Sequence, residues 1–258
     1  MIDIYEVNDR ICYFKVPYKD IFVAIYVIRT EKGVVLFDTG ARDADVDNWN
    51  VPALEQLGVT PTHIFVSHNH KDHAGGLARA AARFPDACIV ARSATLAAEY
   101  PNVLSPADGE LLLDQLQVVA VPGHTIDCSG LLDLPTKTLV CGDCLQSYGI
   151  YGSGYWYGNI TFPAEHFNAV AKLYGLPIET IATAHDYHPC DVVSVGKEAV
   201  TLRLDSCIDA LRRVLRIAVE NSTLDDTQVS QLCNDGTLPK VAPKVIAALR
   251  AARGAGTI

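Results

Sequence analysis

Three imidazoles and a carboxylate fall within six residues in His68-x-His70-x-Asp72-His73, and no other stretch limits the fold of this chain so strongly. Ahead of the cluster, Ile64, Phe65 and Val66 form a short β-branched and aromatic run, which predicts a strand. After it, Ala74-Gly75-Gly76 opens a helix that runs to Phe84. The cluster therefore lies on a strand-to-helix turn. Neutral imidazole and carboxylate are side chains that hold zinc, iron or manganese. One histidine alone is ordinarily a satisfied core or surface group. Four such groups in six residues give nothing to a core, because each would need its own polar partner. The expectation is a metal site at a strand end.

Further residues of ligand type follow later strands. His124 comes after the apolar stretch Leu116–Val121, Asp143 after Thr138–Cys141, and His185 after Ile178–Ala182. Upstream, Asp38 ends a strand and is followed by Thr39-Gly40. These markers, in this order, resemble the metallo-β-lactamase superfamily in its dinuclear hydrolase form. The resemblance covers roughly residues 2–190. It implies an αββα sandwich of the α/β class. It also implies two divalent metal ions, zinc foremost, with iron or manganese as alternatives. In the family's pattern His68, His70 and His124 hold one ion, Asp72, His73 and His185 the other, and Asp143 bridges. Asp72 and Asp143 are then the catalytic carboxylates. A metal-bridging hydroxide would attack the substrate, and Asp72 would orient it and protonate the leaving group. Asp38 would support one of the ligands.

Composition narrows the alternatives. The chain has 258 residues, formal net charge −9 and 49% hydrophobic residues, as expected of a globular protein with a sizeable core. It has no Lys/Arg run that could follow a phosphate backbone, so a nucleic-acid partner is not expected. No run of about 20 apolar residues suggests a membrane span. The first residues lack the pattern of a secretory signal, so a cytoplasmic location is expected. All eight cysteines are accordingly expected to be free thiols. Cys141-Gly-Asp-Cys144 has C-x-x-C spacing, but a continuing strand would point its two thiols to opposite faces.

The expected domain spans residues 1–193, and a helical extension spans 194–258. Residues 195–219 carry Leu202, Ile208, Leu211, Val214, Leu215 and Val219 at helical spacing, and two shorter helices follow. This extension could cap the site or form a homodimer interface. Among the other histidines, His63 is expected to be structural and His166 to face solvent.

The substrate, expected to be a small molecule, is bounded by the stretch after Asp143. Residues 145–162 hold no Lys, Arg, Asp or Glu, while Tyr148, Tyr151, Tyr155, Trp156 and Tyr157 suggest an aromatic wall. Tyr187 and His188, just past His185, are further candidates for substrate contact. His185-Asp-Tyr187 resembles the end motif of glyoxalase II thioesterases, but their basic loop residues are absent here. Acyl-homoserine lactonases place a Tyr three residues past the bridging Asp, where this chain has Gln146. The leading expectation is hydrolysis of a neutral or apolar ester, thioester or lactone. The alternatives are a mononuclear iron oxygenase of the persulfide dioxygenase type and a non-catalytic sensor of the same fold.

Overall fold

The computed structural model describes residues 1–100, 102–151, 160–234 and 241–258. Among these, twelve strands make two six-stranded sheets. The first sheet has the spatial order β1 (Tyr5–Glu6), β2 (Ile11–Tyr18), β3 (Ile21–Thr30), β4 (Gly33–Phe37), β5 (His63–Val66) and β6 (Cys88–Ala91). Tight turns join β2, β3 and β4, which are therefore antiparallel. Helical crossovers separate β4, β5 and β6, which are parallel. These crossovers contain α1 (Asp43–Asp45), α2 (Val51–Leu57), α3 (Lys71–Ala74) and α4 (Leu77–Arg83), with a π-helical turn at Val46–Asn50. Helix α5 (Ala94–Glu99) follows β6 and is capped by Ser93, whose side chain accepts from Leu96 N.

The second sheet repeats this plan in its own strands: β7 (Leu111–Leu112), β8 (Leu116–Ala120), β9 (Ser129–Asp133), β10 (Thr138–Cys141), β11 (Thr180–Ala182) and β12 (Val193–Val195). Here β10 and β11 are the parallel pair, joined through α6 (Pro163–Leu173). Tyr26, Phe37 and Phe65 from the first sheet meet Val118, Leu131, Val140 and Ala182 from the second in one buried cluster. Each of these three aromatic side chains, at most 1% exposed, contributes about 2–3 kcal/mol by burial. Ala53 and Leu54 of α2 and Leu77 of α4 cover the first sheet. Val170 and Leu173 of α6 cover the second. The result is the expected αββα sandwich.

Three local readings change. The expected helix from Ala74 to Phe84 is broken into α3 and α4 at Gly75-Gly76. The short edge strand β12 pairs with β11 where no strand was expected. Three residues are too few to show alternation. Cys141 ends β10, so the alternation that would separate it from Cys144 stops there. Both thiols are buried in one cluster, and all eight cysteines are free.

Helix α7 (Lys197–Glu220) starts directly after β12 and lays Val200, Leu204 and Cys207 against the second sheet. Its later turns pack with α8 (Asp226–Cys233) and α9 (Pro243–Gly254) through Leu211, Val214, Val229, Val245 and Leu249. No helix among the described residues is long and apolar enough to cross a membrane. Arg203 of α7 is fully buried. Its Nε donates to Ser194 Oγ at 2.9 Å, Nη1 to Thr183 Oγ1 at 3.2 Å, and Nη2 to the Asp191 carbonyl. All three acceptors lie in the segment that carries His185. Replacing Arg203 with Leu strands them without a donor, and urea denaturation should show a loss on the order of 3 kcal/mol. Arg203→Lys should recover only part of this, because an ammonium cannot reproduce the planar fork.

Candidate metal centre

The site lies where strand ends of both sheets meet. The turn after β5 brings His68, His70, Asp72 and His73, with His70 at the start of α3. The second sheet adds His124 after β8, Asp143 after β10 and His185 after β11. Their ligand atoms form two groups, His68–His70–His124 and Asp72–His73–Asp143–His185, each within 4.8 Å internally. Asp143 faces both. Its Oδ2 lies 3.5 Å from His124 Nε2, and its Oδ1 lies 3.1 Å from His73 Nε2 and 3.3 Å from His185 Nε2. Asp72 Oδ2 stands 3.7 Å from the Nε2 atoms of both His73 and His185. His124 Nε2 and His70 Nδ1 are 2.7 Å apart.

The Nε2 atoms of His68, His73 and His185 are buried and make no hydrogen bond. The close approach of the His73 and His185 atoms to carboxylates lacks hydrogen-bond geometry, because several ligand atoms converge on common points. A divalent cation at each point would take up these lone pairs, so the residues present fit a metal pair. The outward Nδ1 atoms are held in a different way. His73 Nδ1 donates to Asp38 Oδ2 at 2.7 Å, and His185 Nδ1 donates to the Phe22 carbonyl. His68 Nδ1 lies 3.1 Å from Ser67 Oγ, whose own proton goes to Asp38 Oδ2 at 2.9 Å. Asp38 Oδ1 also accepts from Ser67 N at 2.8 Å. Each outward bond fixes ring orientation and leaves the Nε2 lone pair inward.

Charge follows the same division. Burial pushes the His68 pKa well below its usual value, helped by the neighbouring imidazoles, so this ring stays neutral. Burial opposes charge on His73 and His185 too, but nearby carboxylates prevail. Asp143 and Asp38 hold His73 well above its usual range, and Asp143 with Asp72 lifts His185 to about 9. Burial likewise opposes the charge of Asp143, yet the two imidazoles keep its carboxyl well below the carboxylate range. The second group thus has a field that favours positive charge.

Side chains outside the two groups close the site. Tyr187 was expected to contact substrate. It is instead fully buried and donates its hydroxyl to Asp143 Oδ1 at 2.8 Å, so it braces a carboxylate. His188 and Tyr151 pair through Nδ1 and the phenol oxygen at 2.9 Å near the surface. Tyr148 packs partly against the C-terminal helices. Tyr155, Trp156 and Tyr157 lie outside the described residues. A cleft of about 330 Å³ opens beside His70 and His124, with Ser93, Thr125, Thr161 and Phe162 in its wall. Gln146, noted in the sequence only as a mismatch, is buried with its carboxamide 2.9 Å from His124 Nδ1. Two glycines allow close approach here. A Cβ on Gly142 would lie 2.3 Å from Ser67 Oγ, and one on Gly123 would lie 2.5 Å from His166 Nδ1. His166 therefore does not face solvent. It is 1% exposed, behind the His124 turn, because α6 starts directly under that turn. His63 is half-buried, with Nδ1 2.9 Å from Thr62 Oγ1 and no place in either group.

This fold and this cluster define a metal-site hydrolase scaffold, and comparison with known proteins agrees. The model of the metallo-beta-lactamase superfamily matches residues 18–185. The chain belongs to that superfamily. It is 30% identical over 210 residues to a hydroxyacylglutathione hydrolase of Xylella fastidiosa, covering 77% of this chain and 75% of that one. A hydroxyacylglutathione hydrolase of Yersinia enterocolitica is 33% identical over 137 residues, 52% of each chain. A metallo-beta-lactamase from Pontibacter korlensis shares the fold with a TM-score of 0.62 at 19% identity, covering 81% of this chain and 99% of that one.

Burial lowers the His166 pKa from 6.5 to about 4, with a smaller push from His124. The unfolded chain then binds a proton between these two values that the folded chain does not. Stability should therefore fall as pH drops from about 6.5 to about 4, by up to about 3 kcal/mol from this group. Chemical denaturation across that window should give a shallower slope for His166→Leu than for the wild type. The comparison is of slopes, so a uniform offset from the substitution does not affect it.

Proposed function

We propose that this hydrolase cleaves an ester-type acyl bond, in an ester, thioester or lactone, using two divalent metal ions, zinc foremost. The observation that carries the reading is the pair of ligand groups facing one shared carboxylate, Asp143. When bound, such a pair supplies a nucleophile from water near neutral pH and polarises the substrate carbonyl. His68, His70 and His124 would hold one ion, Asp72, His73 and His185 the other, with Asp143 between them. Tyr187 keeps Asp143 oriented by donating to Oδ1. Asp72 is the less buried of the two carboxylates, with a side chain 15% exposed against 7% for Asp143. It is therefore the group placed to take a proton on its carboxylate and return it to the leaving atom. No Ser or Cys nucleophile is required. A mononuclear iron oxygenase needs only one ligand group, and a sensor needs no complete set, so the second group favours the hydrolase reading.

The similarity to hydroxyacylglutathione hydrolases supports thioesters as one substrate class. The stretch 145–162 tempers this, because it offers no cation to glutathione's carboxylates. Desolvating an anion without a partner is costly. The reading is therefore a preference for a neutral acyl substrate.

Elemental analysis should find two metal equivalents per chain, and Asp143→Ala should lose most of the metal and most of the activity. A single iron equivalent in active protein would support the oxygenase instead. For the substrate, steady-state kinetics on matched compounds should give neutral esters or lactones the higher kcat/KM. A glutathione thioester clearly ahead of every neutral ester and lactone would reverse that preference.

A further inference from the structure

Three residues beyond Asp143, Gln146 turns inward and is 3% exposed. Its amide nitrogen Nε2 lies 2.9 Å from His124 Nδ1, and a flip of the amide would bring Oε1 to the same place. The other braced imidazoles meet groups that can only accept. His73 has the Asp38 carboxylate, and His185 has the Phe22 carbonyl. His68 has the Ser67 hydroxyl, whose proton is already given to Asp38. Gln146 alone among these partners offers both a donor and an acceptor.

We propose that Gln146 is a two-way positioning residue for His124, a role that rests on the dinuclear reading above. An imidazole that ligates through Nε2 carries its proton on Nδ1 and needs an acceptor there. The carboxamide oxygen provides it. An imidazole with its proton on Nε2 has a bare Nδ1 and needs a donor there. That Nε2 proton also has an acceptor, because His70 Nδ1 is 2.7 Å away. The carboxamide NH₂ then serves Nδ1. A half-turn of the amide exchanges the two ends without moving any other atom. Glutamate could serve only the ligating tautomer, and leucine neither. Only Cys144 and Leu145, both buried, separate Gln146 from Asp143, so the brace on His124 and the shared carboxylate are fixed by one short segment.

The test is zinc binding to metal-free protein by chelator competition, read for each of the two equivalents, with thermal melting of the metal-free forms alongside. Q146L should weaken one equivalent by about 10- to 100-fold and leave the other within about threefold. Q146E keeps the acceptor and should hold that equivalent at wild-type affinity or better. Because the amide also serves the metal-free tautomer, Q146L and the unbranched Q146M should both melt lower than wild type when metal-free, and affinities are compared at a temperature where every form is folded. Wild-type affinity at both equivalents in Q146L or Q146M overturns the proposal, as does equal weakening of both, or a Q146E as weak as the apolar variants. A wild-type chain that binds fewer than two zinc ions removes the dinuclear reading itself. The two failures are therefore distinguishable, and no activity assay enters.

Discussion

Three buried imidazole nitrogens, on His68, His73 and His185, make no hydrogen bond, and those of His73 and His185 point at Asp143. Leaving each unsatisfied costs about 1–3 kcal/mol. A chain could relieve that cost by turning the rings over, and here every ring is prevented from turning. Asp38, Ser67 and the Phe22 carbonyl hold the opposite nitrogens. The surroundings therefore stabilise an arrangement that the protein's own groups do not complete. Cations complete it, because they use the lone pairs and balance Asp72 and Asp143 together. The unfavourable burial and the outward bonds make physical sense only as parts of one site.

Strand direction brings the parts together. In the first sheet, β4 and β5 run parallel in the register Leu36↔Ile64 and Phe37↔Phe65. Their ends therefore arrive side by side, and Asp38 N bonds to the Phe65 carbonyl at 2.8 Å. Asp38 takes a left-handed backbone, with φ of 67°, a region open to Asp more than to most residues. Three accepted hydrogen bonds, from Ser67 N, Ser67 Oγ and His73, offset that conformation. The second sheet repeats the device. Parallel β10 and β11, in the register Leu139↔Ile181 and Val140↔Ala182, deliver Asp143 and His185 to the same edge. An antiparallel pair would send those ends to opposite edges.

This explains what could be read without coordinates. His68, His70, Asp72 and His73 are legible because four ligand-type groups lie in six residues, and His124, Asp143 and His185 because each follows an apolar strand. Asp38 is legible by its place before Thr39-Gly40. The inward roles of Gln146, Tyr187 and His166 are not legible. Each depends on a contact across the fold, and none of these residue types declares a direction. Tyr187 could equally face a substrate, and His166 sits at a helix start where exposure is the ordinary outcome. The helical spacing of α7 is visible, but its docking partner is not, because a buried stripe does not name the surface it meets.

That docking is what connects the C-terminal helices to the chemistry. Helix α7 meets the segment that follows Asp143 at Ser147. Ser206 Oγ donates to Ser147 Oγ at 2.8 Å, and Cys207 Sγ lies 3.6 Å from the same hydroxyl. One turn earlier, Arg203 grips Thr183, Asp191 and Ser194, the segment that carries His185 and Tyr187. The helix thus bonds to both segments that carry Asp143 and His185 into the centre. Asp143 and His185 must keep their oxygen and nitrogen a few ångströms apart while neither is anchored by a regular element beyond its strand end. A 24-residue helix bonded to both supplies that anchor. Changes on its buried face therefore reach the site through the spacing of Asp143 and His185, whereas changes on its exposed face leave that spacing alone.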